Sequence, residues 1–143
     1  MKTEQYTKNG YHLEKEVLSP SLILELKNYL ETLEPKLKLP FSNIPWGYGN
    51  LLNEGPFKQV TDHNFINKFC KDVFKDKYIF NHLMVNNKAS WIGSAVEWHQ
   101  EIFNVDSYAP GYSPQDWENF MQIYIALDEH TIENGCLRII AKS

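Results

Sequence analysis

The residues best suited to chemistry are His99 and Glu101, in the run Glu97-Trp98-His99-Gln100-Glu101. Alternate residues of a strand share a face, so on an extended backbone an imidazole and a carboxylate two positions apart project together. An imidazole nitrogen and a carboxylate oxygen with open positions beside them are what a non-heme Fe(II) centre for oxygen chemistry uses, completed by a second histidine. The spacing alone is a weak signal, because the alternative is a strand histidine beside a solvated acid. A second His-x-Glu, His12-Leu13-Glu14, lies among Glu14, Lys15 and Glu16 and reads as solvated surface.

The elements that must carry this pair follow from periodicity. Ser19 is placed to cap a helix, and Pro20 suits its first position, where the missing N–H would be unpaired anyway. Leu22, Leu26, Leu30 and Leu33 then recur at helical spacing until Pro35, predicting an amphipathic helix over 20–33. Residues 35–60 are rich in Pro, Gly and Asn and read as a long loop. Its Trp46 and Tyr48 could close over a substrate or simply pack. A second helix is predicted over 62–74, with Phe65, Phe69 and Val73 on one side and Ile66, Cys70 and Phe74 beside them. Beyond Lys77 the pattern shifts to short β-prone runs at 78–85, 97–103, 120–127 and 135–140. Asn134-Gly135 marks a turn between the last two. Helices first and strands afterwards predict an α+β domain with its sheet in the C-terminal half. Trp91, Trp98 and Trp117 are expected in the core.

Composition bounds the function classes. The chain has 143 residues, 43% hydrophobic and 14% aromatic, enough for a single domain over 1–143 with a real core. A net charge of −4 offers no basic field for nucleic acid or anionic lipid. No apolar run approaches the roughly 18 residues of a membrane span, and the polar start MKTEQYTKNG is unlike a secretory signal. Two cysteines, Cys70 and Cys136, fit a reducing cytoplasm and are expected as core thiols rather than a bridge.

Several motifs in order resemble one family. Gly10-Tyr11 and Leu18-Ser19-Pro20 stand ahead of the Leu-rich helix. Asn86-x-Lys88 precedes Trp98-His99-Gln100-Glu101. The run from Ala126 to Ile140, ALDEHTIENGCLRII, is the most specific. Together they resemble the phytanoyl-CoA dioxygenase family of Fe(II)/2-oxoglutarate oxygenases. The resemblance implies a double-stranded β-helix, a cupin-like jelly roll. It implies His99 and Glu101 as metal ligands, with Asn86 and Lys88 near 2-oxoglutarate. It also implies hydroxylation of a small-molecule substrate. His82, Gln122 and Tyr124 are candidate substrate contacts, the last two sharing a strand face with Phe120 and Ala126.

Three departures accompany the resemblance. Glu101 stands where the family has Asp, one methylene longer. Ala141-Lys142-Ser143 replaces the family's P-G-S-H, so the second histidine and the arginine for the distal carboxylate of 2-oxoglutarate have no counterpart, and His130 is not read as a substitute. Only about half of a jelly roll is expected, with the chain read as truncated. A homodimer would then cover the open sheet. The competing reading is a non-catalytic half-roll that self-associates and binds no iron.

Overall fold

The computed structural model describes residues 2–33, 37–38, 45–75, 77–86, 97–99 and 120–142. The described elements, in chain order, are α1 (Lys2–Asn9), α2 (Pro20–Glu31), β1 (Leu37–Lys38), β2 (Pro45–Tyr48), α3 (Phe57–Thr61), α4 (Asn64–Phe74) and β3 (Val85–Asn86). Helices combined with a small antiparallel sheet, in the order β1-β2-β3, make this an α+β arrangement.

Helix α2 starts as its sequence dictates. Ser19 is extended (φ −66°, ψ 150°), and its Oγ accepts from the Leu22 N–H at 3.2 Å. Pro20 occupies the first turn. At the other end the Thr32 hydroxyl donates to the Tyr29 carbonyl at 2.7 Å. Leu26 from this helix is the most deeply buried large side chain, 1% exposed. Around it lie Leu18, Tyr48, Leu51, Phe57, Val60, Ile66 and Cys70. Leu22, Leu30 and Leu33 complete the helix's apolar stripe as half-buried residues packed on this core.

Helix α4 buries Ile66 and Cys70 and ends at Lys75 in the left-handed region (φ 54°). The adjoining flank, carrying Phe65 and Phe69, receives α1. Tyr6 meets the edge of Phe69 (centroids 6.0 Å apart), and Lys2 Nζ lies 4.5 Å over the Phe65 ring. His12 stacks on Phe69 at 5.4 Å. Its ring nitrogens approach Gln5 Oε1 at 3.0 Å and Glu14 Oε2 at 2.9 Å, and Lys2 reaches the same Glu14 oxygen at 2.8 Å. The His12 side chain is only 9% exposed, so the expected solvated surface at His12-Leu13-Glu14 is instead a polar clasp holding α1.

Within this clasp the Lys2 ammonium, and after it the His12 ring, hold the Glu14 carboxyl below its ordinary value. A carboxylate with a depressed folded pKa contributes stability above its unfolded pKa and loses it as pH falls through the folded one. We therefore expect the thermal midpoint of the wild type to exceed that of Glu14→Gln at pH 7 by a small margin. That margin should close as the pH falls below about 4. A difference independent of pH would contradict the clasp.

The loop expected over 35–60 contains more structure than its composition predicts. It holds β1, β2 and α3, and Tyr48 on β2 is a core residue rather than a lid. Gly55 is needed as glycine: its φ is +44°, and a Cβ there would lie 2.6 Å from the Tyr29 ring. Gly47 pairs with Asn86 and Tyr48 with Val85 across β2 and β3. The Asn50 side-chain oxygen accepts from the Leu83 N–H at 3.2 Å, and the Leu51 N–H donates to the Leu83 carbonyl at 2.8 Å.

The strand expectations need correction. Of 78–85 only Val85 enters a ladder; the runs 120–127 and 135–140 enter none among the described residues, nor do 97–99, while the rest of the strand expected over 97–103 lies outside the described residues. A β-strand exists through the N–H and C=O groups of a neighbour, and apolar alternation alone does not supply them. The alternation itself is real. Tyr78, Phe80 and Leu83, then Met121, Ile125 and Leu127, pack on the helical core, while Ile79, Gln122 and Tyr124 stay exposed. Lys27 on α2 pins the second of these runs by an ion pair to Asp128, 2.6 Å long. The expected turn is present: Gly135 has φ +80°, and the Cys136 N–H donates to the Thr131 carbonyl at 2.9 Å. The jelly roll is not visible in the described residues. Both cysteines are free thiols, Cys70 buried and Cys136 half-buried. No helix among the described residues is long and apolar enough to cross a membrane.

Candidate metal and substrate site

His99 lies in the short described segment 97–99 and is exposed. Its Nδ1 is 2.7 Å from the carbonyl oxygen of Glu97. A carbonyl only accepts, so Nδ1 carries the hydrogen, and in the neutral ring the lone pair resides on Nε2. A backbone carbonyl receiving the far N–H is the usual way a protein orients a metal-ligating imidazole. In its neutral form the imidazole at the described end of the expected donor set would carry its hydrogen on Nδ1, the arrangement a divalent cation needs. Its expected partner Glu101 lies outside the described residues, as does Lys88. Among the described residues no group of three His, Cys, Asp or Glu side chains gathers to hold a metal.

Trp98 is not a core residue. It is 58% exposed, and its ring carries the Arg138 guanidinium, whose central carbon lies 5.1 Å from the ring centroid. This contact ties the segment bearing His99 to the run that follows Gly135. Trp91 and Trp117 lie outside the described residues, and so does the side chain of Trp46.

The remaining candidates divide into two groups. Asn86 is an exposed residue of β3, held in register opposite Gly47. His82 is exposed on the preceding run. Gln122 and Tyr124 share a face with Ala126, and it is the face turned away from the helical core. The Tyr124 hydroxyl shares a 3.2 Å hydrogen bond with His130 Nδ1, with the rings 5.6 Å apart. Partial burial pushes the Tyr124 phenol up, and the nearby Cys136 pushes it the same way. Sequence reasoning passed over His130 as a turn residue and gave Arg138 no role. The available signal for Arg138 was its uniqueness, since the chain contains no other arginine.

Comparison with curated proteins and with solved structures gave no match. The model of the phytanoyl-CoA dioxygenase (PhyH) family matches residues 6–143, a span that includes the His99-x-Glu101 pair and the run through Ile140. The chain belongs to the phytanoyl-CoA dioxygenase family, a family of Fe(II)/2-oxoglutarate-dependent oxygenases.

Proposed function

We propose that this chain is an Fe(II)/2-oxoglutarate-dependent hydroxylase of a small molecule, with His99 and Glu101 as ligands to the metal. The observation that carries the reading is the family match across nearly the whole chain, His99 and Glu101 included. The Nδ1 contact with the Glu97 carbonyl supports it, because a backbone carbonyl on one ring nitrogen is the usual way a metal-ligating imidazole is oriented. When bound, iron and 2-oxoglutarate supply the oxidising power, coupling decarboxylation of the keto acid to hydroxylation of a C–H bond.

This chain's residues bind and orient. His99 gives a neutral nitrogen donor and Glu101 an anionic oxygen, which together lower the net charge at the cation. One methylene gives Glu101 about 1.5 Å more reach than an Asp at the same position. The amide of Asn86 and the ammonium of Lys88 serve the carboxylates of 2-oxoglutarate. Gln122, Tyr124 and His82 contact the substrate, with His130 steadying the Tyr124 hydroxyl at 3.2 Å.

Aerobic incubation with Fe(II), ascorbate and 2-oxoglutarate tests this reading. Succinate should form faster than in a protein-free control, and a chelator should stop it. If the iron-treated protein neither releases succinate nor binds 2-oxoglutarate, the hydroxylase reading fails.

A further inference from the structure

We propose that Arg138, held over the Trp98 indole, binds the carboxylate of the molecule this site oxidises, so that the target substrate is a small organic acid with an apolar body. The inference rests on the hydroxylase reading above and adds a substrate class to it. It starts from how this acidic chain uses its cations. Lys2, Lys27, Lys58 and Lys68 each sit within 2.8 Å of a carboxylate oxygen. Lys8, Lys15, Lys71, Lys75, Lys77 and Lys142 have no such partner among the described residues, and neither does Arg138, the only arginine beside 18 acids, which rests on an indole.

That arrangement has a chemical consequence. A guanidinium carried over an aromatic ring is held by its face, and its five N–H donors remain at the rim in the fork that matches a carboxylate. The ring also restricts the side chain beforehand, which lowers the ordering cost of binding. The surroundings select the rest of the ligand. Trp98 is 58% exposed, and Leu137, Ile139 and Ile140 are each more than half exposed along the same run. One cation among exposed hydrocarbon suits a single carboxylate attached to an apolar group better than a compact dicarboxylate such as 2-oxoglutarate. The contact lies beside the proposed ligand in the chain, since Trp98 is the covalent neighbour of His99.

The unique arginine makes the test direct. In uniformly 15N-labelled, metal-free protein it gives a single side-chain Nε–H resonance. Titration with hexanoate or phenylacetate should shift that resonance saturably at millimolar concentration. Neutral phenylacetamide should leave it in place. Arg138→Lys, which keeps the charge and loses the fork, should weaken phenylacetate binding about tenfold, measured by calorimetry. Three results would overturn the proposal: no saturable shift with either acid, an equal shift with the amide, or a shift by 2-oxoglutarate at lower concentration than by hexanoate. The last would assign Arg138 to the co-substrate. Because no metal is present, failure of the hydroxylase reading leaves this signal unchanged, and loss of the signal leaves the hydroxylase reading standing.

Discussion

Replacing His99 with Ala is expected to reduce iron-dependent succinate formation to the level of a protein-free control. The imidazole supplies the nitrogen of the proposed donor pair, and Glu101 alone would hold Fe(II) far less firmly than the pair. Loss of a partner that merely orients a ligand costs 10–100-fold in metal affinity or activity, so loss of the ligand should cost more than about a hundredfold. The fold should survive, because His99 is exposed and lies outside the core around Leu26. Its thermal midpoint should therefore stay close to the wild type, as surface substitutions change stability by roughly 0.5 kcal/mol or less. An unchanged melt with lost turnover separates a chemical role from a structural one. A His99→Ala protein that still forms succinate at the wild-type rate would remove this residue from the site.

Leu26→Ala should give the largest loss of stability of any alanine truncation in α2. Leu26 is 1% exposed at the centre of the cluster formed by Leu18, Tyr48, Leu51, Phe57, Val60, Ile66 and Cys70. Truncation removes its transfer energy and leaves a cavity that these neighbours, drawn from the segment before α2, from β2 and the loop after it, and from α3 and α4, only partly fill. The expected cost is about 2–5 kcal/mol. At this chain length that corresponds to a fall in the thermal midpoint of very roughly 6–20 °C. Leu24→Ala on the same helix is the matched control: Leu24 is 59% exposed, so its removal should cost roughly 0.5 kcal/mol or less. Equal midpoints for the two variants would contradict the placement of α2.

The contrast between these leucines shows what was legible in the sequence. The Leu22-Leu26-Leu30-Leu33 spacing and the Ser19-Pro20 start defined α2 locally, through one capping bond and one apolar stripe. Ile66 and Cys70 marked α4 in the same way. Helix α1 was not legible, because KTEQYTKN buries no residue and has no apolar stripe. It is held by the distant Phe65 and Phe69 and by the His12–Glu14–Lys2 clasp. The strand readings erred in the opposite direction. The alternation at 120–127 separated two faces without saying which is inward; Met121, Ile125 and Leu127 pack on the core while Ile123 stays exposed, and pairing depends on a neighbouring strand that the run itself does not encode.

The site was legible in part. The type and spacing of His99 and Glu101, together with the motif through Ile140, pointed to the family that the chain matches. The Glu97 carbonyl that orients His99 and the Arg138–Trp98 contact were not readable. The first depends on a local bend and the second on a contact across 40 positions of sequence. Glu101 and Lys88 lie outside the described residues, so their part in the site stands on the family pattern.

Anaerobic titration calorimetry with Fe(II) addresses the metal centre most directly. The wild type should show a saturable site that is abolished in both His99→Ala and Glu101→Ala. Equal heats in all three proteins would show that this pair does not hold the metal.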